Sequence, residues 1–106
     1  MKLLLTGISA SKGSAKGKVR LLSSERGIVQ VKKGEVIVLK IMSPVFTLAM
    51  INASAVIANT GGKLCHAAIV ARERGLPCIV NVESAFKILK NGQEILVDAT
   101  EGKIYG

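Results

Sequence analysis

Apolar positions in this chain come in short runs punctuated by glycine, serine and asparagine, and the runs change period along the sequence. Lys18–Leu22 and Val29–Val31 read as strands flanking a Ser-Ser-Glu-Arg-Gly turn. Val36–Lys40 is a further β-rich run, with Gly34 marking the turn before it. Pro44 suits a first helical turn, so a short helix is predicted over Val45–Ile51, then a break at Asn52-Ala53-Ser54 and a buried strand at Ala55–Ala58. The segment Ala67–Arg74, directly after His66, carries good helix formers and stops at Gly75, with Pro77 just beyond. Cys78–Val80 is a strand, Glu83–Leu89 a short helix ending near Asn91-Gly92, and Glu94–Ala99 with Lys103–Tyr105 a strand pair around Thr100-Glu101-Gly102. Strands interleaved with three helices predict an α/β fold built on a mixed sheet, with residues 1–106 forming one domain.

Composition sharpens this picture. Apolar residues make up 49% of the chain but aromatics only 3%, so the core must be Val, Ile, Leu and Ala, as in a sheet covered by helices. Residues 41–62 carry no charge, yet Ser43, Pro44, Thr47, Asn52, Ser54, Asn59 and Thr60 interrupt them. That speaks against a membrane span, which needs about twenty predominantly apolar residues. Met1–Leu5 is too short an apolar run for a secretory signal, so a cytoplasmic location with reduced thiols is expected. Two cysteines do not make a disulfide framework, and Cys78 reads as a buried strand residue.

The chemistry concentrates in Asn59–Asn81, which holds His66, the only histidine. The pair Gly61-Gly62 precedes it, and the predicted helix starts at once. A helix N-terminus offers unpaired N–H groups and partial positive charge, and glycines place no Cβ in the path of a ligand; both suit a phosphate. Histidine is also a competent nucleophile. A lone histidine is usually structural or surface-exposed, so the residue by itself decides nothing; the continuous loop–histidine–helix–stop arrangement points to a histidine that is itself phosphorylated. Two rivals use the same residues. A metal site from Cys65, His66 and Cys78 would offer three ligands at most, in a spacing that matches no common zinc motif, so no metal is expected. A thiol mechanism at Cys65 needs a base facing it, but adjacent helical residues point roughly 100° apart, so Cys65 is expected to shape the loop. Arg72 and Arg74 lie six and eight residues beyond His66 and are not expected to reach its phosphate, whereas Lys63 is close enough to steer one.

The run Gly61-Gly62-Lys63-Leu64-Cys65-His66-Ala67-Ala68-Ile69-Val70-Ala71-Arg72-Glu73, followed by Gly75, Pro77 and Cys78-Ile79-Val80, resembles the signature of the phosphohistidine swivelling (mobile) domain of phosphoenolpyruvate-utilising enzymes. That family includes phosphoenolpyruvate synthase, pyruvate phosphate dikinase and enzyme I of the sugar phosphotransferase system. Gly7–Val19 is similar to the family's opening motif, Val36–Leu39 with Ser43-Pro44 to its strand and turn, and Asn91–Tyr105 to its closing motif. The chain departs from the pattern at Leu64, where the family often has threonine two residues before the histidine. It departs also at Lys12 (usually proline) and at Asn81 and Ala99 (often glycine). The resemblance implies the β/β/α swivelling fold and a phosphoryl relay: His66 accepts a phosphoryl group, on the ring nitrogen facing away from its own backbone, and passes it to a second acceptor. Gly61, Gly62, Lys63 and Cys65 would form the phosphate loop. It implies further that no cofactor binds this chain. Mg with ATP or phosphoenolpyruvate would belong to separately encoded nucleotide-binding and pyruvate- or phosphoenolpyruvate-binding subunits or domains, without which the chain should not turn over. Whether it is a free-standing carrier or a fragment of a longer enzyme stays open.

Charge adds one more feature. The net charge is +8, and residues 1–43 hold nine Lys/Arg against Glu25 and Glu35, a local +7. Nucleic acid is a poor fit, because there is no Trp, one Tyr and two Phe to stack on bases, and no recognition motif. A solvated basic face or docking to an acidic partner fits better. The alternative to the relay is therefore a non-catalytic binding or regulatory module of the same fold, docking to an acidic or nucleic-acid partner.

Overall fold

The structure is a computed structural model that describes residues 1–24, 30–40, 44–62 and 65–106. Its elements, in chain order, are β1 (Leu3–Thr6), β2 (Ile8–Ser11), β3 (Ser14–Leu22), β4 (Val36–Leu39), a 3₁₀ helix (Pro44–Ile51), β5 (Ala55–Ala58), α1 (His66–Arg74), β6 (Cys78–Val80), α2 (Ala85–Ile88), β7 (Glu94–Asp98) and β8 (Lys103–Tyr105). The strands run in the order β1-β8-β7-β3-β4-β5-β6-β2. The α/β class, the mixed sheet and three helices agree with the sequence.

The nine-residue β3 organises the rest. Its first half, Ser14–Lys18, pairs antiparallel with β7, and its second half, Val19–Leu22, pairs parallel with β4. β4, β5 and β6 continue the parallel pairing, and β2 closes that edge antiparallel to β6. Every residue of β4, β5 and β6 is buried, as expected of strands covered on both faces. Alternation then sorts their side chains between two cores. Ile37, Leu39, Val56, Ala58, Cys78 and Val80 pack on the side of the 3₁₀ helix and α1, with Phe46 and Ala68. Val36, Val38, Ala55, Ile57 and Ile79 face the other way, toward Ile95 and Val97 of β7 and Ile104 of β8. The result is three layers: the β1-β8-β7 ribbon, the parallel strands, and the 3₁₀ helix with α1, while Ala85 of the short α2 packs in the ribbon-side core.

Two glycines permit crossings. A Cβ at Gly17, where β3 passes between the two halves, would strike the Gly34 carbonyl oxygen. A Cβ at Gly7, where the chain switches from β1 to β2, would lie 2.6 Å from Val82 Cγ2. The two ends of the described chain meet at the β1–β8 edge: Lys2 N–H donates to Gly106 O at 2.8 Å, and Gly106 N–H to Lys2 O at 2.9 Å.

Several expectations need correction. β1 and β2 are strands that the apolar pattern does not announce, because both are edge strands with mixed exposure and an irregular register. β3 begins at Ser14, four residues before Lys18; its first half is half-exposed and alternates with small and basic side chains. The strand predicted at Val29–Val31 does not form over its described part: Gln30 is in a 3₁₀ conformation and Val31 is a buried loop residue, while Val29 lies outside the described residues. The helix predicted at Glu83–Leu89 shortens to one turn, because Ser84 takes a left-handed conformation, φ 65°, just before it. Asn81 is also left-handed, φ 55°, which is why glycine suits that position and why asparagine, with a short polar side chain, can replace it.

One ion pair ties β3 to the loop before β4. Arg20 Nε and Nη2 donate to the two carboxylate oxygens of Glu35 at 3.1 and 3.0 Å, and the Lys32 N–H donates to Oε1 at 2.6 Å. Burial pushes the Glu35 carboxyl up, but those hydrogen bonds, with the charges of Arg20 and Lys32, outweigh it and hold the group below its ordinary value. A depressed carboxyl stabilises the fold above its unfolded-state value, and that contribution is lost as pH falls through the folded value. Urea unfolding at a series of acidic pH values should therefore show stability declining through that window. Glu35→Gln should lower neutral-pH stability by about 1–3 kcal/mol and flatten the decline. An unchanged slope in the variant would mean that Glu35 is not the titrating group.

Candidate functional site

The parallel strands deliver the site at their C-terminal ends. β5 finishes at Ala58, and the emerging chain is fixed by Asn59 N–H to Leu39 O (2.9 Å) and Asn81 N–H to Thr60 O (3.4 Å). Gly61 follows with φ 99°, which favours glycine. A Cβ there would also press on Cys65 Sγ at 3.2 Å, whereas a Cβ on Gly62 would meet nothing within 4 Å. Lys63 and Leu64 lie outside the described residues, so the steering role expected of Lys63 has no geometry to report. The loop closes with Cys65 N–H on Gly62 O at 3.1 Å.

Cys65 is the N-cap of α1 and supplies no side-chain cap bond; no acidic residue sits in the first turn. Ile69 N–H reaches back to Cys65 O at 3.1 Å. The N–H groups ahead of it in the first turn lie before the helical hydrogen-bonding register and face the Gly61-Gly62 loop with the positive end of the helix dipole. Ala67, Ala68 and Ala71 bury the inner face of α1, their small side chains letting the helix lie close on the sheet. The helix ends as predicted: Gly75 is left-handed, φ 66°, and Leu76 N–H bonds Ala71 O at 2.8 Å.

His66, the first helical residue, is exposed. Its Nε2 lies 3.1 Å from Thr47 Oγ1, on the 3₁₀ helix that leaves β4 and packs beside α1. Thr47 is the site residue that the sequence reading missed, although a signal existed: it is the only polar residue in the segment Pro44–Ile51. Leu48 and Ile51, on one face of the same 3₁₀ helix, are 60% and 59% exposed, and Ile69, one turn after His66, is 42% exposed, so the histidine stands among apolar surface residues.

The remaining candidates separate from the imidazole. Arg72 turns away, donating Nη1–H to Ala10 O at 2.9 Å and so fastening α1 to β2. Cys65 is half-buried against the helix-side core, and both cysteines are free thiols. Burial pushes the Cys78 thiol up to about 12, with a smaller push from Cys65 and opposition from Arg72, so it stays protonated at neutral pH. Among the described residues no three His, Cys, Asp or Glu side chains come together. Among those residues, too, no helix is long and apolar enough to cross a membrane.

Residues 31–102 match the family of the PEP-utilising enzyme, mobile domain, and the chain belongs to that family. It is 42% identical over 104 residues to a probable phosphoenolpyruvate synthase of Archaeoglobus fulgidus, covering 98% of this chain and 14% of that protein. It is 38% identical, with coverages of 98% and 13%, to the phosphoenolpyruvate synthase of Pyrococcus furiosus. The chain thus spans about a seventh of the length of these curated relatives. In fold it superposes on aconitase X of Thermococcus kodakaraensis (TM-score 0.70, 20% identity, 95% of each chain). It superposes also on an Enzyme I (TM-score 0.63, 23% identity, 73% of this chain and 32% of that one).

The two glycines of the loop make different demands. Gly61→Val should cost about 1–3 kcal/mol through its backbone conformation and its contact with Cys65. Gly62→Val should leave the thermal midpoint close to that of the parent. Equal losses in the two variants would mean that the loop geometry described here is wrong.

Proposed function

We propose that this chain is the phosphoryl-carrying domain of a phosphoenolpyruvate-utilising enzyme and that His66 is its nucleophile. The observation that carries the reading is the pairing of His66 Nε2 with the Thr47 hydroxyl at the open N-terminus of α1, beside two glycines. With the ring proton on Nδ1, the Thr47 hydroxyl donates to the Nε2 lone pair and so holds the ring in the tautomer whose Nε2 is the nucleophile. In the transfer, that lone pair attacks phosphorus: the N–P bond forms, the P–O bond to the leaving group breaks, and the electron pair leaves with the oxygen. As the N–P bond forms, the Thr47 hydroxyl gives up its hydrogen bond to Nε2 and turns to a phosphoryl oxygen, alongside the first-turn N–H groups and the unobstructed face of Gly62. Such transfers depend on positioning and charge stabilisation, which these groups supply. The reverse attack by a second acceptor regenerates the imidazole.

The donor and acceptor are held by partner domains or subunits, one binding nucleotide and one binding pyruvate or phosphoenolpyruvate; Mg and ATP or phosphoenolpyruvate belong to them. The exposed Leu48 and Ile51 of the 3₁₀ helix and Ile69 of α1 give those partners apolar surface on the two helices that carry Thr47 and His66. Cys65 serves as the cap of the loop, and its thiol takes no part.

Incubation with phosphoenolpyruvate synthase partner domains and a labelled donor should place one phosphate on His66, labile to acid and stable to base. His66→Ala should abolish labelling in a folded protein. Thr47→Val should slow it by about tenfold, about 1.4 kcal/mol of transition-state stabilisation, with Thr47→Ser restoring most of the rate. Gly62→Val should slow it without unfolding the chain, and Cys65→Ser should keep most of it. Label on a serine or threonine, or full activity in His66→Ala with none in Cys65→Ser, would sink the proposal.

A further inference from the structure

The basic surplus of residues 1–43 has no role at His66, and the fold gathers part of it elsewhere. A cleft of about 490 Å³ is lined by Lys18, Arg20, Lys32, Lys33 and Glu35 and floored by Gly17, Gly34 and Gly92. It lies where β3 crosses between the two halves of the sheet, beside the N-terminal end of β4. His66 and Thr47 lie beyond the opposite, C-terminal ends of the parallel strands, a strand length away. The carboxylate in the lining does not neutralise it, because both Glu35 oxygens are taken by Arg20 and one also by the Lys32 N–H. Lys18, Lys32 and Lys33 are exposed and have no ion pair among the described residues. Four cations against one anion leave the cleft at +3. A Cβ at Gly34 or Gly92 would meet nothing within 4 Å, so the floor is bare backbone open to an extended segment.

We infer that this cleft docks an acidic polypeptide segment of a partner protein, rich in Asp and Glu, at a place that leaves His66 free. The lining itself selects that occupant. It has no aromatic ring on which a nucleobase could stack, which disfavours a nucleotide or single-stranded nucleic acid. Its cations are mostly lysines, compact point charges on flexible stems, with none of the convergent fixed donors that hold a small phosphate. Flexible ammonium groups along an open cleft suit a chain of carboxylates, held by charge complementarity that steers encounter more than it fixes geometry. The inference does not depend on the phosphoryl-relay reading, since it needs neither His66 nor a phosphate.

The test titrates the full chain with a short synthetic peptide of alternating Asp and Glu, followed by fluorescence anisotropy and by backbone amide NMR. Amide shifts should cluster at Gly17, Lys18, Gly34, Glu35 and Gly92 and spare His66. Affinity should fall at least tenfold as ionic strength rises from about 0.01 M to about 0.1 M, where screening sets in within about 10 Å. The Lys18→Gln/Lys33→Gln double variant should weaken binding about tenfold, while Lys12→Gln/Lys87→Gln, the same charge change elsewhere, should not. Equal weakening in both variants would reduce the effect to net charge and overturn the site. Shifts centred on His66, or no binding at low ionic strength, would overturn it too. Tripolyphosphate or a single-stranded oligonucleotide displacing the peptide at lower concentration, with the same amide shifts, would replace the acidic segment by that ligand.

Discussion

Strand β3 is hydrogen-bonded into two half-sheets, and most of the structure depends on that shared membership. Its first half joins an antiparallel ribbon that returns to it through β7 and β8; its second half starts the parallel stack of β4, β5 and β6. Because one strand serves both, the ribbon can lie over the stack and bury its second face. The stack can then be apolar on both sides, with only the single turn of α2 added to the ribbon on the second face. The crossing is possible only with a side-chain-free residue at position 17, where the Gly34 carbonyl comes too near for a Cβ.

The reacting end follows from the same arrangement. Parallel strands release their connections at one end, so the segment after β4 and the segment after β5 leave side by side. That proximity brings a hydroxyl at position 47 to a ring nitrogen at position 66, nineteen residues on. The helix that carries the imidazole is fastened at its C-terminal end: Gly75 closes it, and Arg72 in its last turn donates to Ala10 O of β2. The imidazole itself stays at the surface, on a rigid base, where a docking surface can reach it.

Legibility in the sequence followed how local each feature was. The His66 helix, its glycine stop and the β4, β5 and β6 strands could be read because period, caps and branched apolar residues agree within each segment. The Gly61-Gly62 loop could be read for the same reason, though only the backbone angles separate the glycine that the fold requires from the one that leaves space. β1 and β2 could not: Leu3–Thr6 carries no alternation, Ile8–Ser11 alternates over four residues only, and both are strands because β8 and β6 pair with them. Thr47 was out of reach because its partner is fixed by two crossovers, not by spacing. Arg72 could be excluded from the phosphate by helical geometry, but its carbonyl partner on β2 required knowing that β2 exists.

The meeting of Lys2 and Gly106 has a mechanical consequence. Any polypeptide joined at these points would be attached through two neighbouring tethers on one sheet edge and not through two distant ones. Torque on such a pair turns the whole body about a single line, without shearing the layers against each other. The imidazole, carried on a helix packed on the far face of the stack, would then move as the tip of a stiff lever. Its travel would be set by the compliance of the tethers, while the distances among Thr47, the glycine loop and the ring would be carried along unchanged.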